Sequence, residues 1–404
     1  MFYIFIIILC IVLTYIYDYA RTTTKYKSFC YYMLCLTFIL LSGLRYRIGI
    51  DSIRYEDLYS GMPDLSNLEF RFISFEYAPG YVLLVALLKT ISPHYLVFQI
   101  VHAAIVNIII FRFFKSNARN IFFAILCYFL FYFYFFNCEV LRESLAVSAC
   151  LLGWKYLVSA KWVKYYICAA IAFSFHYSAA ITLLLPIFFL SPLSNFFDMS
   201  WKTIALIIVV YLSTAYIGSH FFDFLSKLNG IALIADYSTR YSNNDYYGSG
   251  MQLSLIGSIA FLLKNILYPL SAVYVLRNSR NKFDPNVLQT LQIIVFVFIA
   301  ISTFSLAIRI IVRFLSYFYP IITLIISSCA FEKIRIPHHK VLEMSFGVWF
   351  VLLMPYFLLN VMQYRENINM GNSYREYYKF YPYTSVIFQD KIPEREEIIN
   401  YYVF

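Results

Sequence analysis

The stretch Phe2-Tyr-Ile-Phe-Ile-Ile-Ile-Leu-Cys-Ile-Val-Leu-Thr-Tyr-Ile-Tyr17 contains no charged residue, no glycine and no proline. Its length approaches the ~20 apolar residues that cross a bilayer core of about 30 Å. Tyr166 to Leu190 and Val287 to Ala307 read the same way. Apolar residues make up 61% of the chain and charged residues 13%, with a mean hydropathy of +0.68. An ordinary soluble domain carries roughly 25% charged residues, so lipid is the solvent for most of this chain. The first apolar stretch has neither a basic segment before it nor a small-residue cleavage site after it, and is read as a retained helix starting from Met1 rather than a signal peptide.

The expected fold is an all-α polytopic membrane bundle with about ten to twelve transmembrane or re-entrant segments. These lie near 2–17, 28–44, 77–92, 95–111, 121–136, 144–160, 166–190, 203–219, 251–276, 287–307, 308–328 and 341–361. The expected organisation is a transmembrane domain over 1–362, with external loops near 45–76 and 191–250, and an external C-terminal tail over 363–404. Net charge is +10, but the cations fall in short clusters between apolar spans, as cytoplasmic anchors do. These are Arg21/Lys25/Lys27, Arg112/Lys115/Arg119, Lys161/Lys164, Arg277/Arg280/Lys282 and Lys333/Arg335/Lys340. Twelve full crossings would put the second and third clusters outside. One member of the 77–111 pair and the 203–219 segment are therefore expected not to cross. No continuous basic face for nucleic acid is present. The eight cysteines lack paired spacing and read as small core residues.

Charge collects in a few places. Arg45, Arg47 and Arg54 alternate with Asp51, Glu56 and Asp57 where the second apolar span ends; guanidinium forks suit a multivalent oxyanion, although a solvated flank has the same composition. Glu139, Arg142 and Glu143 lie between two strongly apolar spans, where charges are functional candidates. Glu139 and Arg142, three apart, are expected to share a helix face, and a structural ion pair is the plainer alternative. His176 sits within an apolar run, where a satisfied core histidine is the commoner outcome. Arg309 and Arg313 are expected on one helix face before Tyr317, and Glu76 precedes Pro79 and Gly80. No phosphate-binding glycine loop, HExxH helix or nucleophile elbow is present, so the energy for any synthesis is expected to come from an activated substrate.

Four short motifs in order, Arg45-Tyr46-Arg47-Ile-Gly49-Ile-Asp51 with Tyr55, Glu76-Tyr-Ala-Pro-Gly80-Tyr81, Leu141-Arg142-Glu143-Ser-Leu-Ala146 and Phe175-His176-Tyr177-Ser178-Ala179, resemble the EpsG/Wzy-type polysaccharide polymerases. Glu143 stands where glutamine is common, and Ile50 replaces a small or hydroxyl residue. The resemblance implies a GT-C-like membrane glycosyltransferase of the bacterial inner membrane, with its site facing the periplasm. The substrate it implies is an undecaprenyl-diphosphate-linked oligosaccharide, whose glycan passes to the non-reducing end of an acceptor repeat unit. Asp51, Glu139, Arg142 and His176 become the catalytic candidates. Arg45, Arg47, Arg54, Tyr55, Glu76, Arg309, Arg313 and Tyr317 become the substrate-binding ones. No cofactor or metal is expected, since arginines can supply the counter-charge. Membrane lipid, a chain-length regulator and a flippase are the expected partners. An O-antigen ligase, a polyprenyl-sugar glycosyltransferase, a lipid-linked oligosaccharide flippase and a membrane O-acetyltransferase are the competing readings.

Overall fold

A computed structural model describes residues 2–22, 25–73, 77–190, 284–307, 309–331, 333–336, 340–343 and 376–403, with isolated positions between 191 and 283. The expected segments at 203–219, 251–276 and 341–361, and Glu76, lie outside the described residues. The chain divides into two compact units, one of residues 1–156, 161–180 and 326–404, the other of 157–160 and 181–325.

The first unit begins with α1 (Phe2–Thr14), prolonged by a π-helical turn over Tyr15–Tyr19. Tyr3, Ile6, Ile7, Cys10, Leu13, Thr14 and Tyr17 are buried, a helical stripe of spacing three and four. The opposite stripe of Ile4, Phe5, Ile8, Val12 and Tyr15 is exposed yet just as apolar. An outward face without polar residues belongs in lipid rather than water. Helices α2 (Lys27–Gly43), α3 (Ser52–Gly61), α4 (Pro79–Ile91), α5 (Tyr95–Asn117), α6 (Ile121–Phe131), α7 (Leu141–Val158) and α8 (Trp162–Phe175) follow. Every residue of α6 from Phe122 to Leu130 is buried, making it the centre of the unit. α8 repeats the pattern of α1, burying Tyr165, Ala169 and Ala172 while exposing Val163, Ile167 and Ile171.

Several buried polar groups satisfy one another across helices, as a low-dielectric interior favours. Asp18 Oδ2 accepts from the Phe122 and Phe123 amides at 2.7 and 2.9 Å, capping the start of α6 from the end of α1. Midway along the bundle, Tyr128 Oη donates to Asn107 Oδ1, Asn107 Nδ2 to Asn137 Oδ1, and Asn137 Nδ2 to Tyr128 Oη, each at 2.9 Å. This closed ring pins α5 and α6 to the π-helical turn Phe135–Glu139.

Ties at the helix ends fix the alternation. At one end Asp18 meets α6, Tyr31 Oη donates to Phe111 O at 2.7 Å, and Trp154 Nε1 donates to Asn117 Oδ1 at 3.0 Å. The clusters at 21–27, 112–119 and 161–164 therefore come to the same end. α4 does not carry the chain there. At 13 residues it is about 20 Å long, and Lys89 Nζ near its end donates to Tyr59 O and Ser60 O, at the close of α3.

The second unit contains a short helix α9 (Ala180–Leu184), α10 (Pro285–Ala307), a 3₁₀ segment over Arg309–Tyr317 and most of α11 (Tyr319–Cys329). The expected single span at 308–328 is broken, with a 51° bend between Ile311–Tyr317 and Tyr319–Ser328. Pro320 in the first turn of α11 cannot donate backward and favours a restart. Arg309 and Arg313 thus sit on a three-residue repeat, where positions four apart do not share a face. The regular structure among the described residues is helical apart from an antiparallel hairpin, β1 (Lys333–Ile336) with β2 (Lys340–Glu343), and one isolated bridge. Among them, Phe2–Tyr19, Tyr95–Asn117 and Pro285–Ser305 are long and apolar enough to cross a membrane alone, with the bent pair as a fourth.

Residues 376–403 belong to the first unit and pack within it. α12 (Pro393–Val403) buries Arg395, Ile398 and Ile399. Tyr3 Oη donates to Phe380 O at 2.7 Å.

Candidate functional site

The end of the first unit away from the basic clusters gathers three of the four motifs, and the fourth abuts them. After α2 the chain runs through Arg45 to Asp51 in irregular backbone, with Arg47 at φ 49° and Gly49 at φ 95°. A side chain at Gly49 would place its Cβ 2.5 Å from Cys138 O. Glycine is what lets this loop lie directly on the turn before α7. Asp51 is the residue before α3, and its side chain does not cap that helix.

Residues 379–386 run antiparallel to this loop and complete its hydrogen bonds. Tyr46 N donates to Thr384 O at 2.9 Å, Val386 N to Leu44 O at 2.9 Å and Gly49 N to Lys379 O at 3.0 Å, while Thr384 Oγ1 donates to Tyr46 O at 2.6 Å. Arg395, 1% exposed, holds the strand in turn, donating to Tyr378 O at 2.8 Å, to Thr384 Oγ1 at 2.5 Å and to Pro382 O. Arg47 forms an ion pair with Glu396 at 2.5 Å, both about a quarter exposed. Arg45 is buried, its Nη1 donating to Ser42 O at 2.5 Å and its carbonyl accepting from Gln99 Nε2 at 2.8 Å. Arg54 lies exposed on α3.

Arg142 stands in the first turn of α7. Its guanidinium carbon is 5.3 Å from the Tyr77 ring centre and 5.9 Å from that of Tyr81, within cation–π range. Tyr55 from α3 brings its hydroxyl to the same guanidinium and to the Leu141 backbone. Burial pushes that hydroxyl above its usual range and Arg142 draws it back, with Asp51 near enough to oppose. Arg142 is therefore oriented by one tyrosine from the first motif and two from the second.

Glu139 does not share a helix face with Arg142 as the spacing suggested. It closes the π-helical turn, and Val140 at φ −103°, ψ 56° breaks the helix between them. Glu143 is buried and Glu139 half-buried. Behind Arg142, His102 is fully buried on α5, its Nε2 donating to Leu141 O at 3.0 Å and lying 2.9 Å from Ser144 Oγ.

His176 ends α8 and starts a 3₁₀ turn over Tyr177–Ala179. Its Nδ1 accepts from Ser178 N at 3.2 Å and lies 2.5 Å from Ser178 Oγ. An accepting Nδ1 leaves the proton of the neutral ring on Nε2. The motif approaches the others through Gly80, where an added Cβ would sit 2.8 Å from Ser174 O. Arg313 and Tyr317 belong to the second unit, Tyr317 buried, and the side chain of Arg309 lies outside the described residues.

Sequence reasoning missed Gln99, His102 and the tyrosine pair around Arg142. It also missed the whole buttress of Lys379, Thr384, Arg395 and Glu396. Polar residues inside the apolar run of α5 were a usable signal. The buttress carried none, because its sequence reads as a polar, aromatic tail.

Residues 28–385 match the model of the EpsG family. That span holds all four motifs and ends at Ser385, the residue bridged to Arg45. No curated protein and no solved structure matches the chain.

Proposed function

Since the chain belongs to the EpsG family, a membrane family of polysaccharide-polymerase type, we propose that it polymerises lipid-linked oligosaccharide repeat units. The observation that carries this reading is the seating of Arg142 between Tyr55, Tyr77 and Tyr81, at the end of the bundle opposite the basic clusters. Cationic clusters mark the cytoplasmic side, so the site faces the periplasm of a bacterial inner membrane. The full chain makes ten to twelve crossings or re-entrant segments in a GT-C-like bundle.

In the reaction, a hydroxyl at the non-reducing end of the acceptor unit attacks the anomeric carbon of the growing glycan. The new glycosidic C–O bond forms as the C–O bond to undecaprenyl diphosphate breaks. The bonding electrons leave with the diphosphate, whose charge Arg142 stabilises. A carboxylate takes the acceptor proton, and Asp51, whose charge reaches the same Tyr55 hydroxyl as Arg142, is the candidate. His176, its Nδ1 engaged by Ser178, serves as a hydrogen-bond donor through Nε2. Tyr77, half-buried beside Arg142, gives a sugar ring a flat apolar surface. A flippase supplies the units, and a chain-length regulator acts on the product.

The test is purified protein given two defined lipid-linked units in detergent, where flipping has no meaning. Elongated lipid-linked glycan with released undecaprenyl diphosphate is the expected product. Failure to join the units while they are still translocated in vesicles would replace this reading by a flippase.

A further inference from the structure

The guanidinium of Arg45 has two edges. On one, Nη1 donates to Ser42 O at 2.5 Å. On the other, Nε and Nη2 are buried and meet no hydrogen-bond acceptor among the described residues. The residue as a whole is 2% exposed. Among the described residues no carboxylate is ion-paired with it; the ion pair of this region belongs to Arg47 and Glu396. The groups its charge reaches include Tyr3, Tyr95, His102, Cys138 and Tyr383, whose side chains carry no negative charge near neutral pH. Tyr95 Oη and His102 Nδ1 are also buried without a hydrogen-bond partner among the described residues.

A buried cation with an unfilled fork is unfavourable unless something occupies it. Water would satisfy the N–H groups but add no counter-charge, and Glu56 and Glu139, whose charge reaches Tyr95 and Cys138, are not ion-paired with Arg45. An oxyanion does both, since the coplanar Nε–H and Nη2–H match two oxygens of one phosphoryl group. The Tyr95 hydroxyl is a further donor for a third oxygen. The C-terminal segment packs on the backbone beside this residue, through the bridge of Arg45 with Ser385 and the pair of Arg47 with Glu396, and its Tyr383 lies within reach of the Arg45 charge.

We propose that the Nε/Nη2 edge of Arg45 is a seat for a phosphoryl group, roofed by residues 376–403, with Glu396 occupying Arg47 until such a ligand displaces it. The polymerase reading supplies the natural ligand, the carrier's diphosphate; the seat itself stands on the burial and the unfilled fork. A ligand reaches it only when the roof lifts, so neutralising Glu396 strengthens binding.

The experiment is calorimetric titration of the detergent-solubilised full chain with inorganic pyrophosphate and, separately, with a short-chain polyprenyl diphosphate. Glu396→Gln is expected to tighten binding several-fold. Arg45→Lys, which keeps the charge and loses the fork, is expected to weaken it at least ten-fold. Tyr95→Phe, a substitution that leaves the ring in place, weakens it a few-fold and serves if Arg45→Lys fails to fold. Arg45-dependent binding of both probes assigns the seat to the phosphoryl group alone, and of the lipid form only assigns it to the carrier. Affinities unchanged by Arg45→Lys and Tyr95→Phe, or no binding of either probe by wild type and Glu396→Gln, overturn the proposal. Loss of Arg45-dependent binding beside intact polymerisation removes the seat and leaves the polymerase. The reverse removes the polymerase and leaves the seat.

Discussion

Substituting Gly49 by alanine tests whether the loop from Arg45 to Asp51 is held in the geometry described. Two costs combine. Backbone at φ 95° is a region that residues with a Cβ occupy at about 1–3 kcal/mol. The new Cβ would also stand 2.5 Å from Cys138 O, and separating them to ordinary contact moves the loop away from Lys379 O, to which Gly49 N donates at 3.0 Å. One lost hydrogen bond adds ~1 kcal/mol, for a total of about 3 kcal/mol, or roughly 100-fold in the population of the closed loop. Gly61 is the internal control. It ends α3, nothing lies within 4 Å of an added Cβ and its φ is ordinary, so Gly61→Ala is expected to be neutral or to stabilise by up to ~1 kcal/mol. The assay compares thermal inactivation of both variants in detergent, together with polymer yield at matched abundance. Gly49→Ala indistinguishable from Gly61→Ala on both readouts would refute the close contact between the loop and the turn before α7.

Arg142→Ala at normal membrane abundance is expected to reduce polymerisation by about 100- to 1,000-fold, leaving single-repeat surface glycan; Arg142→Lys should fail as well if fork and ring contacts both matter, and unaltered long chains would sink the assignment. Asp51→Asn keeps shape but removes proton affinity, so it abolishes polymer if Asp51 is the base; substantial polymer with Asn moves that role to Glu139. A single cysteine introduced at Ser116, in a cysteine-free background, is expected to resist an impermeant thiol reagent in intact spheroplasts, and rapid labelling would invert the orientation. Asn137→Leu opens the ring with Asn107 and Tyr128 and leaves their amide and hydroxyl underpaired, a cost of about 1–3 kcal/mol; an Asn107→Leu/Asn137→Leu pair whose effects simply add would contradict that ring.

The membrane nature of the chain was legible because lipid exposure leaves both faces of α1 and α8 apolar, a signal that survives without any fold. Motif order was legible too, and Arg142 meets Tyr55, Tyr77 and Tyr81 from two other motifs. Helix breaks were less so. Composition treats Tyr166 to Leu190 as one span, whereas His176 turns back on Ser178 and ends α8, and Pro320 divides 308–328. Least legible was the C-terminal buttress. Arg395 and Glu396 adjoin in a run that reads as solvated, and only long-range pairing with residues 44–49 sends one inward and the other onto Arg47.

The pairing of residue 45 with residue 385 also ties the candidate site to the order of biosynthesis. A ribosome adding ~5–20 residues per second needs roughly 15–70 s to pass from one partner to the other. During that interval the first helices are already entering lipid with the arginine loop open along one side. A nascent or prematurely ended chain therefore carries the charged residues of the site without the strand that sets them. Assembly of this end waits until residues 379–396 have been made, so a copy lacking them presents no ordered site to its substrate.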